Sequence, residues 1–225
     1  MGLSNYLPSS RIAQPGVCTS STRPASPFEG QVIYETDTNR VLVYDGSAWV
    51  MIADTDSPPG LELVKTQTVG TSVATVTVNN CFTSTYDNYR ITLSNVGYSA
   101  LNEAVLFKPT SSGTATTDSW YGNTLYVAIS TSSALSNAPF SNTAYAECAS
   151  INSYNGWKNS AIFDVQAPYL AENTRLQYTS ADPGYFRIGA FNHFKQTSYD
   201  GFQLSGYTGT FTGGTIRVYG YRNSI

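Results

Sequence analysis

From Leu61 to Ile225 the sequence runs in short bursts of alternating apolar and polar residues and nowhere sustains a helical repeat of ten residues. Val73-Ala74-Thr75-Val76-Thr77-Val78 and Thr215-Ile216-Arg217-Val218-Tyr219 keep the two-residue period of strands with one buried face. Further strands are predicted at 62–69, 88–96, 104–109, 125–130, 160–167, 174–180, 185–194 and 202–208. Turn signals lie between them, including Asp182-Pro183-Gly184, Asp200-Gly201 and Gly213-Gly214. About ten short strands in succession predict an all-β fold, with an antiparallel jelly-roll-like β sandwich over 61–225. A chain of this size can bury most of its apolar surface in one core.

Charge narrows what such a sandwich can do. Only 12% of the 225 residues are charged, and 12 Lys and Arg against 15 Asp and Glu leave a net charge of −3. That balance argues against a nucleic-acid partner held by phosphate neutralisation. A single histidine removes multi-histidine metal centres, and no metal or cofactor site is predicted. Cys18, Cys81 and Cys148 are odd in number and far apart, which suits free thiols in a reducing cytosol rather than a disulfide framework or a zinc knuckle. The N-terminus lacks the apolar stretch of a secretory signal, and no run approaches the ~20 apolar residues of a bilayer span, so no membrane insertion is expected. Gly2 is a weak myristoylation signal because Tyr6 stands where Ser or Thr is needed. No Asn-x-Ser/Thr sequon occurs.

Upstream of the sandwich the text changes twice. Residues 1–28 carry Pro8, Pro15, Pro24 and Pro27 and read as an extended anchoring arm, able to reach roughly 90 Å at ~3.3 Å per residue. Its contact candidates are Tyr6, Leu7, Arg11, Ile12 and Pro15. Residues 29–52 form a small β module, QVIYET, RVLVYDG and SAWVMI, joined by turns at Asp37-Thr38-Asn39 and Asp45-Gly46. Val41 and Val43 alternate with Leu42 and Tyr44, so both faces are apolar and both need cover. A meander this small is not stable alone. It packs on a partner, on the rest of the chain or on copies of itself; self-association is the most economical, through Val32, Tyr34, Val41, Val43 and Trp49. Residues 53–60, with Pro58-Pro59-Gly60, read as a linker; its Asp54 and Asp56 lack the remainder of a calcium loop.

Catalytic signatures are sparse. Any Ser-His-Asp or Cys-His arrangement must use His193, which lies in a strand-like stretch, and no G-x-S-x-G elbow accompanies it. Phosphate-binding glycine loops are absent. Glycoside hydrolysis needs two carboxylates ~5–9 Å apart across a cleft. Asp87, Asp182 and Asp200 instead sit beside turn residues, where Asp bonds backbone N–H groups. The remaining candidates are aromatic: Trp120, Tyr121, Tyr126, Tyr154 and Trp157, in a Ser- and Asn-rich middle region read as irregular. Loop-borne rings flanked by amides suit a sugar-binding surface. Tyrosine also packs well at sheet surfaces and subunit contacts, and both uses remain open.

Three stretches together resemble virion structural proteins of tailed bacteriophages: PGVCTSSTRPASPFEGQVIYETDTNRVLVYDGSAWV (15–50), NNCFTSTYDNYRITLSNV (79–96) and YDGFQLSGYTGTFTGGTIRVYGYRN (199–223). The first is similar to attachment modules of fibre and appendage proteins, the others to the opening and closing parts of a C-terminal β-sandwich domain. The resemblance carries over no catalytic residues. It implies homotrimers on the virion surface, made in the bacterial host cytoplasm, bound to other tail or capsid proteins and exposing a distal domain. The chain has no heptads, collagen repeat or β-helix period, which makes it a short knob rather than a shaft. The expected function is therefore a non-enzymatic, short tail fibre or adhesin that binds host surface polysaccharide. Capsid decoration that stabilises the shell is the alternative, and a carboxylate-based polysaccharide depolymerase the third reading.

Overall fold

The computed structural model describes residues 15–54, 60–101, 103–128, 135–151, 158–182 and 184–222, and among them there are strands but no helix. The chain divides into two compact units, Met1–Pro59 and Gly60–Ile225.

The first unit is one four-stranded sheet in the order β1 (Gly16–Cys18), β2 (Val32–Glu35), β3 (Arg40–Tyr44), β4 (Trp49–Asp54). Strand β1 runs parallel to β2, and the other pairs are antiparallel. This corrects the extended arm expected through residue 28. The chain joins the module at Gly16, the Thr36 N–H donates to the Cys18 carbonyl at 3.0 Å, and the Ser20 N–H and hydroxyl both donate to Asp37. Pro24 and Pro27 fall in the connection after β1, where no ladder bond is lost. Pro15 is exposed just before β1, and Tyr6, Leu7, Arg11 and Ile12 lie outside the described residues. The predicted turns form: Asn39 takes a positive φ of 52°, and Asp45 Oδ1 accepts from the Ser47 and Ala48 N–H groups at 2.8 and 2.7 Å.

The second unit is a β sandwich. Its larger sheet orders β11 (Leu135–Thr143), β10 (Trp120–Ala128), β15 (Tyr185–His193), β14 (Thr174–Ala181), β13 (Asn159–Gln166), β7 (Asn88–Val96), β17 (Phe211–Tyr221) and β5 (Leu61–Val73). The smaller orders β12 (Ala146–Ile151), β8 (Glu103–Ser111), β16 (Gly201–Ser205) and β6 (Thr75–Val78), with β9 (Thr114–Ala115) paired to β8. All pairings within both sheets are antiparallel. Aromatic rings fill the space between them. Phe107 of β8 stacks on Phe202 of β16 at 5.3 Å and meets Trp120 of β10 edge-on at 6.1 Å, and Phe82 packs on Tyr89 of β7 at 4.8 Å.

Among the described residues, most of the middle region read as irregular is strand. Strand β11, LSNAPFSNT, has a weak strand composition and contains a proline, but it is an edge strand and β10 supplies its register. Strand β12 is likewise an edge strand, paired with β8 and packed against the larger sheet. Neighbouring strands override intrinsic propensity at both places.

Candidate functional site

In the small sheet, register sorts the predicted contact residues by face. Val32 pairs with Val43, Tyr34 with Val41 and Val43 with Val50, so these five side chains share one face. Val17 of β1 stands beside Tyr34 and extends it. The face is open: Val17 is 70% exposed, Val50 43% and Val32 37%. The opposite face holds Ile33 and Leu42, both buried, and the fully buried Glu35, which Arg23 pairs with and to which the Thr38 hydroxyl donates at 2.7 Å. The Arg23 hydrogen bond holds the Glu35 carboxyl below its ordinary pKa. Trp49 belongs to this second face, opposite Tyr44 and 5.4 Å from its ring. It therefore does not join the other four contact candidates. Asp54 of the D-x-D pair is bound to Arg40 at 3.3 Å, and Asp56 lies outside the described residues.

In the sandwich, the aromatic candidates do not form one surface. Trp120 is 0% exposed, held between Phe107, Phe191 and His193, so its ring is core and not a sugar platform. Tyr126 points to the inner side of the larger sheet and is half-buried. The Arg187 guanidinium lies over its ring at 5.4 Å and over that of Tyr185 at 5.1 Å. Among the described candidates, Tyr121 alone is outward and exposed, edge-on to Phe194 at 5.3 Å. Tyr154 and Trp157 lie outside the described residues.

Potential catalytic groups are tied to internal partners. Nε2 of His193 donates to the Asp118 carbonyl at 3.0 Å, and Nδ1 accepts from the Tyr199 hydroxyl at 3.3 Å. Burial pushes this imidazole below its usual pKa. Glu147 accepts from Arg187 at 2.9 Å and from the Tyr207 hydroxyl at 3.0 Å. Glu103 accepts from the Tyr207 and Thr208 N–H groups. Asp182 caps its turn, accepting from the Gly184 and Tyr185 N–H groups at 2.6 and 2.9 Å. The three cysteines are free, and burial pushes the Cys81 thiol up to about 12. No group of three or more His, Cys, Asp or Glu that could hold a metal ion occurs among the described residues.

A feature without a sequence signal lies on the outer face of the larger sheet, an open depression of about 740 Å³. Antiparallel register brings Leu125, Ile188, Thr179 and Ile162 into one row across β10, β15, β14 and β13. The next row is Asn123, Ala190, Gln177, Asp164 and Arg90. Ile162 and Ile188 are 46% and 40% exposed, so the floor is aliphatic and wet. Arg90 donates to Asp164 through Nε and Nη2, both at 2.8 Å, and the Tyr221 hydroxyl donates to Oδ1 at 2.9 Å. Burial raises the Asp164 pKa, but the bonds from Arg90 and Tyr221 outweigh it and hold the carboxyl below its usual value. The pair stays ionised and mutually neutral.

The chain thus presents two uncommitted surfaces, the open valine face of the small sheet and the depression on the sandwich. No family model, no curated protein and no solved structure matches it.

Proposed function

We propose that this chain is a non-enzymatic surface protein of a tailed-phage virion, a homotrimeric short tail fibre or adhesin whose sandwich faces host surface glycan. The open face of Val17, Val32, Tyr34, Val41, Val43 and Val50 carries this reading, since contiguous apolar surface of this kind marks an association site. Closed threefold symmetry gives every copy the same cover and leaves no open end for further growth. The resemblance of residues 15–50 to phage attachment modules supports the same role, as does a low-charge sandwich solvated by Thr, Ser, Asn and Tyr.

Mass measurement by light scattering tests the assembly. The full chain is expected as a trimer, and Val43→Asp as a monomer whose sandwich stays folded. A monomeric native chain overturns the reading. Gold-labelled antibody on intact particles tests the location: label confined to the tail supports the fibre, whereas label over the whole shell supports capsid decoration instead.

A further inference from the structure

The depression on the larger sheet is lined by chemistry that selects among possible occupants. Its two charged groups, Arg90 and Asp164, neutralise one another through two hydrogen bonds, so an anionic polymer or a cation finds no net counter-charge there. The lining strands β10, β15, β14, β13 and β7 are each paired on both sides, so no backbone ladder is free for an extended peptide to join. The surface is concave, and two identical concave faces set against each other would enclose a void, which disfavours a second copy.

What remains on offer is side-chain chemistry. Leu125, Ile162 and Ile188 form an aliphatic floor, while Asn123 and Gln177 each present an amide that both donates and accepts. Three of the roughly four lone-pair positions of Asp164, which lines the depression, are occupied, leaving one on Oδ2. A pyranose chain is the complement of this set, with C–H faces, adjacent hydroxyls that donate and accept, and no charge. The size falls within the ~300–1,000 Å³ usual for ligand sites, and the open ends suit a segment of a longer polymer.

We propose that this depression binds an uncharged segment of polysaccharide, seated on Leu125, Ile162 and Ile188 and held by Asn123, Gln177 and Asp164. The proposal rests on the reading of the sandwich as glycan-facing, and it moves the sugar surface from loop aromatics to a sheet face. The test uses the full chain on an array of neutral hexose and N-acetylhexosamine oligosaccharides, with uronate oligosaccharides as the anionic control. Binding to a neutral member and not to uronates is expected. The Asn123→Ala/Gln177→Ala variant should weaken it at least tenfold, with oligomer mass and melting temperature unchanged. Undiminished binding by that variant overturns this site while leaving a glycan-facing sandwich intact. No binding by the native chain to any saccharide overturns both. Ile188→Asp adds a third arm: a fall in oligomer mass would make the face a contact between copies and overturn the proposal, whereas unchanged mass with lost binding supports it.

Discussion

The small sheet and the sandwich solve the same problem with different means. In the sandwich, the two sheets cover each other's inner faces over the core, where Trp120, Tyr89, Phe82, Phe107 and Phe163 are all fully buried. Its outer face is then free of core duty and mixes polar Thr92, Gln166, Gln177 and Thr179 with exposed Ile162 and Ile188. The small sheet has two faces and cover for one. Ile33, Leu42 and Glu35 are sealed, while the valines on the other side face outward. One unit covers the core between its sheets, whereas the other leaves one apolar face open.

That contrast can be broken at the core, at the backbone and by acid. The largest effect is expected from Trp120→Ala, which should cost the sandwich about 3–5 kcal/mol and lower its calorimetric transition by roughly 10 °C. A transition that does not move would show that the ring is not core. Gly189→Ala comes next. A methyl there would sit 2.3 Å from the Tyr178 ring, which must shift and strain its bond to the Thr124 hydroxyl, at a cost of about 1–3 kcal/mol in the same scan. The smallest effect separates the units by pH. His193, faced by Tyr199, Asp118 and Lys195, has a folded pKa below the ordinary 6.5. The unfolded chain therefore takes up its proton first, and the sandwich loses stability as pH falls below 6.5. Glu35 is depressed below 4.5, so its contribution to the small sheet is present above 4.5 and is lost as pH falls through its folded value. Following Trp fluorescence and far-UV signal against pH should show the sandwich responding first, and His193→Gln should remove that early response.

Much of this architecture was legible in the chain. The turn at Asn39, the cap at Asp45 and the strands at 88–96, 160–167 and 174–180 rest on local signals: residue types that tolerate positive φ or bond nearby N–H groups, and strict two-residue alternation. The shared face of Val32, Tyr34, Val41 and Val43 follows from the same alternation. Trp49 escaped it because its side depends on which residue of β3 it meets, a fact of register. Trp120 escaped for a related reason. It alternates with Gly122 and Thr124 on one side and Tyr121, Asn123 and Leu125 on the other, and neither set is apolar enough to name the inner face. The many tyrosines find much of their use inside: Tyr89 donates to the Thr83 carbonyl at 2.9 Å and Tyr178 to Thr124 at 3.0 Å, each burying its ring while bonding its tip.

The sequence alone determined that the fold is all-β, where most turns fall, and that a small module with two apolar faces precedes a larger sandwich. These are short-range properties, set by alternation and by turn chemistry within a few residues. Only the tertiary structure decided that Gly16–Cys18 joins the small sheet, that β11 and β12 are strands, that Trp120 is core and that an aliphatic depression opens across β10, β15, β14 and β13. Each of these depends on which strand lies alongside which, and residues from 90 to 190 share one site because pairing across the sheet brings them side by side.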